Sequence, residues 1–139
     1  MSDNPFAGSW TYRSFYNDPN INDDFKGLKF GVGTLNITAD SPTTVGGTIG
    51  GSGWSLNLHG SFGYGSPMQI RFQGKGLVGA EEWIYDYIGW LVPVWPNSND
   101  TLQRDAIVGS IVRTIPHSGD GGTVHPAGVV ASWYAVRTD

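Results

Sequence analysis

Apolar and polar residues alternate with a period of two along most of the chain, and Gly, Pro, Asn and Asp interrupt the alternation at short intervals. Trp10, Tyr12, Ser14 and Tyr16 fall on one face of a first strand. The polar run 17–24, with Pro19 inside it, predicts a connection. Residues 30–38 predict a second strand, ended by Ala39-Asp40-Ser41-Pro42, where proline fixes its own φ and removes a donor. A glycine-rich third strand follows over 45–51, where bulges and close packing are tolerated. In a fourth strand Trp54, Leu56 and Leu58 alternate with Ser55, Asn57 and His59. In a fifth Met68, Ile70 and Phe72 alternate with Gln69, Arg71 and Gln73. Residues 83–91 form the most aromatic strand, and 106–114 and 129–137 predict two more. No long stretch carries the 3.6-residue stripe of an amphipathic helix. The nearest helical candidate is a turn over 99–104, where Asn99 or Asp100 can cap.

Short antiparallel strands in this number fit an up-and-down barrel or a sandwich. Full closure removes sheet edges that so weakly charged a chain does little to protect, so the expected fold is all-β, an eight-stranded antiparallel up-and-down barrel. Residues 1–139 are expected to form one domain. A chain of that length buries about two-thirds of its unfolded surface and needs no metal or disulfide staple. Two connections exceed hairpin length: one around Pro93, Trp95 and Pro96, and one over 115–127 with Pro116, His117, His125 and Pro126. Loops of that length are often functional.

Composition sharpens this picture. Only 14% of residues are charged while 13% are aromatic, and the 21 glycines are about twice the usual share. Sparse charge with many aromatics predicts apolar surface enclosed in a cavity or between subunits, and a homodimer or homotetramer is expected from symmetry. The net charge is −4 with no basic run, so nucleic acid is not an expected partner. The absence of cysteine excludes disulfides, thiolate zinc sites and a cysteine nucleophile. No apolar run approaches the roughly 20 residues of a membrane helix. The first residues are polar and acidic with no basic n-region, so no membrane partner and a cytoplasmic location are expected.

Gly8-Ser9-Trp10 opens the first strand and Arg137 closes the last. This arrangement resembles the calycin barrels, the group of lipocalins, fatty-acid-binding proteins and avidins. The resemblance implies that the indole on the first strand packs under a basic side chain from the final strand and seals one end. A guanidinium over an indole face gains roughly 0.5–2 kcal/mol, and the terminal strands must be neighbours if the barrel closes. Size and the rhythm of residues 35–60 are similar to the avidins in particular. Avidins place small polar residues after that Trp, whereas Tyr12, Ser14 and Tyr16 occupy this face here. The resemblance therefore implies a shared fold without a biotin site.

Trp83, Tyr85 and Tyr87 share one face of the aromatic strand, with Asp86 and Trp90 on the other. The functional reading is an aromatic wall for a flat or apolar ligand; the plainer one is barrel core on one face and subunit contact on the other. Asp86, if buried, must either hold a raised pKa or pair with Arg71 or Arg113. His117 and His125 with Asp120 form a loose two-His-one-carboxylate set, but their spacing matches no ligand pattern, so no metal is expected. Glu81 and Glu82 read as solvated loop charges. No nucleophile elbow, phosphate loop or metalloprotease helix occurs, and no cofactor is expected.

These observations favour a non-enzymatic barrel that takes a small hydrophobic or aromatic molecule in its mouth. Tyr12, Ser14, Tyr16, Phe72, Trp83, Tyr85 and Tyr87 are expected to line the cup, with Trp95 as a lid or an insertion into a neighbouring subunit. One alternative is a small barrel cyclase or isomerase using Asp86 or a tyrosine as acid or base. Another is an oligomeric interaction module whose core is filled by side chains.

Overall fold

The computed structural model describes residues 4–39, 41–94, 97, 103–119 and 122–138. Its long strands are β1 (Gly8–Tyr16), β2 (Lys29–Ala39), β3 (Thr44–Gly51), β4 (Trp54–Gly63), β5 (Gln69–Val78), β6 (Glu81–Val92), β7 (Ala106–Arg113) and β10 (Val130–Arg137). They close into an eight-stranded antiparallel barrel in the order β1-β10-β7-β6-β5-β4-β3-β2. This up-and-down order is the one the alternation predicts, and it is compatible with a calycin-like fold. The pleat explains the result residue by residue: in β1, Trp10, Tyr12 and Ser14 are buried while Thr11 and Arg13 face out.

Two elements depart from the sequence reading. The connection from β7 to β10 folds a small ribbon, β8 (His117–Ser118) paired with β9 (Val124–His125). A one-turn helix, α1 (Phe25–Leu28), precedes β2, and the Asp24 carboxylate accepts from the Lys26 amide at 3.0 Å. The turn expected over 99–104 falls mostly outside the described residues, and Gln103 and Arg104 are not helical. Among the described residues no helix is long and apolar enough to cross a membrane.

Closure depends on β1, which pairs with β2 on one side and β10 on the other, so that Trp10 lies opposite both Leu35 and Arg137. Trp10 is fully buried and its Nε1 donates to the Phe6 carbonyl at 3.0 Å. The Arg137 guanidinium lies over the indole, 4.3 Å from the ring centroid. It also donates to the carbonyls of Pro5 and Ala7 and meets Asp105 at 3.5 Å. Phe6 packs edge-on against Phe62, with centroids 5.7 Å apart. The segment before β1 therefore plugs the base of the barrel.

Above the plug lies a layer of large rings. Phe72 stacks on Tyr87 at 4.6 Å, and the Trp133 indole contacts Tyr12, Phe72 and Tyr87. The indole fits because residue 89 is glycine: a Cβ there would sit 2.8 Å from the Trp133 ring and from Ile107. Its Nε1 finds the Ser110 carbonyl at 2.9 Å, so the buried donor is satisfied.

Candidate functional site

Over this layer, at the end opposite the plug, the interior opens into a cavity of about 210 Å³. Tyr12 and Tyr87 contribute to its floor. Its walls come from Tyr16, Phe30 and Gly31 on β1 and β2, Trp54 and Leu56 on β4, Trp83 and Tyr85 on β6, and Ile111 and Arg113 on β7, with His117 and His125 from the ribbon. A dry cavity of about 150 Å³ holds benzene, so this one has room for a molecule of one or two rings.

Phe30 reaches the cavity through an irregularity. Leu35 and Ile37 set the inward phase of β2, which would send residue 30 outward. The β1–β2 register instead pairs Ser14 with Gly31 and Phe15 with Lys29, leaving Phe30 as an extra residue. Such a bulge re-aims the side chain. The ring then meets Tyr16 at 5.1 Å and Tyr85 at 6.0 Å, and lies under the Arg113 guanidinium at 5.0 Å.

A directed chain of hydrogen bonds crosses the wall. Arg113 Nε donates to the Tyr85 hydroxyl at 3.0 Å, which lies 2.7 Å from His117 Nε2. His117 Nδ1 is 3.0 Å from the Ser118 carbonyl, an obligate acceptor, so Nδ1 carries the proton. Nε2 is then the acceptor, and Tyr85 donates to it. Burial holds the His117 pKa below its ordinary value, and the Arg113 charge adds to that effect. The imidazole is therefore neutral at pH 7. Burial raises Tyr85, against the opposing pull of Arg113, and it raises Tyr12 and Tyr87 as well. The cavity thus presents neutral phenols and one permanent cation.

The ribbon is clamped over one side of the mouth. His117 stacks on Trp83 with centroids 4.0 Å apart and planes 16° from parallel. Glu81 receives the Ser118 amide at 2.6 Å and its hydroxyl at 3.1 Å. Glu81 is therefore a clamp rather than the free loop charge its sequence position suggests.

Of the residues expected to line the cup, Tyr12, Tyr16, Trp83, Tyr85 and Tyr87 meet at the cavity. Ser14 is fully buried but does not line the cavity; its hydroxyl lies 3.4 Å from the Gly31 carbonyl. Phe72 belongs to the ring layer beneath, and Trp95 lies outside the described residues. Asp86 points away from the cavity because Tyr85 and Tyr87 take the inward positions of β6. It accepts from the Thr114 hydroxyl at 2.8 Å and from Gln73 at 3.5 Å in an open outer groove. It forms no ion pair with Arg71 or Arg113; the ion pairs among the described residues are Lys75–Glu82 and Arg137–Asp105. No group of three metal-ligating side chains occurs among the described residues, and Asp120 lies outside them.

No family model, curated protein or solved structure matches the chain.

Proposed function

We propose that the protein is a calycin-type barrel that binds a small, flat, largely apolar molecule in its mouth without transforming it. The observation that carries this reading is a cavity of about 210 Å³ walled by Phe30, Trp54, Trp83 and Tyr85, at the end opposite the Trp10–Arg137 plug. Apolar walls with a few convergent polar groups are what small-molecule sites offer. The calycin affiliation is supported by the closed barrel and by the guanidinium over the first-strand indole. A wholly filled interaction module would have no use for this space. The cyclase reading is weakened because Asp86 lies on the outer groove, leaving no carboxylate among the cavity-lining residues.

The test is tryptophan fluorescence with neutral two-ring probes such as naphthalene and 2-naphthamide. Trp54 and Trp83 at the mouth should report a saturable quench. Gly31→Leu should abolish it, because Gly31 lines the cavity and a side chain built there grows past the Tyr12 ring, 3.7 Å from its Cβ; a strand-rich far-UV spectrum checks that the barrel persists. Quenching that never saturates, or that survives this substitution, rules the cavity out as the binding site.

A further inference from the structure

Arg113 is only 4% exposed, yet no carboxylate among the described residues pairs with it. Its position follows from the pleat: Ile107 and Ile111 set the inward phase of β7, and Arg113 is the next residue on that face. Nε is engaged by Tyr85 and Nη1 reaches the Pro126 carbonyl at 3.3 Å, while Nη2 has no hydrogen-bond partner among the described residues. The rings of Phe30 and Tyr85 lie 5.0 and 5.7 Å from the guanidinium carbon. Cation–π contact softens the cost of removing the charge from water but does not neutralise it. Buried cations are ordinarily paired, and a guanidinium cannot shed its proton. The neighbouring groups supply no paired countercharge: Tyr85 is a neutral phenol whose proton goes to His117, and the Glu81 carboxylate binds Ser118 and forms no ion pair with Arg113.

We infer that the ligand of this cavity carries one carboxylate, which pairs with Arg113 at the cavity wall while its flat apolar body fills the ring-lined space. The inference rests on the cavity being a binding site and specifies what enters it. One cation calls for a monoanion, and a planar carboxylate matches the guanidinium fork better than a point charge does. The cavity volume of about 210 Å³ limits the body to one or two rings beside that group. Tyr85 is a positioning residue here, because its hydroxyl fixes Nε and so the plane of the fork.

A matched pair of probes separates this inference from the reading beneath it: 2-naphthoate and its uncharged isostere 2-naphthamide, titrated into the wild-type protein at pH 7.5. Naphthoate should saturate the tryptophan quench at a concentration about 10- to 100-fold lower, the usual worth of hydrogen bonds to a charged group. In Arg113→Met the preference should vanish while naphthamide binding persists. Equal affinity of the two probes for the wild type overturns the carboxylate and leaves the apolar site standing. Retention of the preference in a folded Arg113→Met variant also overturns it. Failure of both probes removes the site itself. Should Arg113→Met not fold, the wild-type comparison still decides the matter.

Discussion

The guanidinium of Arg137 lies 4.3 Å from the centre of the Trp10 ring, joining the last strand to the first at the base of the barrel. The same side chain holds the carbonyls of Pro5 and Ala7, so one residue fixes both the closure of the sheet and the segment that plugs it. Replacing Arg137 with Met keeps much of the aliphatic packing but removes the charge and its donors. We expect a loss of about 2–4 kcal/mol, the sum of a cation–π contact and charged hydrogen bonds, with the partly exposed Asp105 pair adding little. Urea unfolding should show a lower midpoint at unchanged slope, since the surface exposed on unfolding is the same. Arg137→Lys should recover part of the difference. An unchanged midpoint in the Met variant would mean that the seal is not held by this residue.

Acid should loosen the ribbon through His117. The folded pKa of His117 lies below its ordinary value of 6.5, with burial as the first cause. In that window the unfolded chain binds the extra proton, so folding stability rises with pH. The contribution is complete above pH 6.5 and is lost as the pH falls through the lowered folded value. Structurally, a protonated Nε2 can no longer accept from Tyr85 and sets a second cation beside Arg113. Urea midpoints should therefore fall between pH 7.5 and pH 5, and protease cleavage within 115–129 should rise as the ribbon loosens. His117→Gln should show a flatter profile over the same range. If its profile is as steep as the wild type's, another group is responsible.

The barrel was legible in the sequence because its information is local and repetitive. The alternation of Trp10, Tyr12 and Ser14 against Thr11 and Arg13 states which face is inside, and the same rule holds for Tyr85 and Tyr87 against Asp86. The seal was legible for a different reason: in an up-and-down barrel the terminal strands must meet, so Trp10 and Arg137 become neighbours by topology. The site was only half legible. Tyr85 and Tyr87 follow from the pleat, and Trp54 could have been added from its phase with Leu56. Arg113 also sits in phase with Ile107 and Ile111, but an inward charge runs against the expectation that arginine stays wet. His117 reaches the cavity only because Trp83 and Glu81 dock the ribbon, a tertiary event that no local period encodes.

Phe30 owes its place to a bulge that local alternation does not encode. Alternation from Leu35 and Ile37 assigns it outward, and only the extra residue between Gly31 and Lys29 turns it toward Tyr85 and Arg113. Deleting Phe30 should leave a regular ladder, because Ser14–Gly31 and Phe15–Lys29 would become consecutive pairs. Phe30→Ala instead keeps the bulge and removes only the ring. Both variants take the Phe30 ring out of the cavity wall, so both should weaken naphthamide binding. The deletion should keep a cooperative urea transition and a strand-rich far-UV spectrum, since it removes an irregularity rather than a pair. If the bulge serves the site, the two variants will differ little in binding and the deletion will cost no more stability than Phe30→Ala. A deletion that unfolds the protein while Phe30→Ala remains folded would instead assign the bulge to the curvature of β2, with the ring's place in the cavity a by-product.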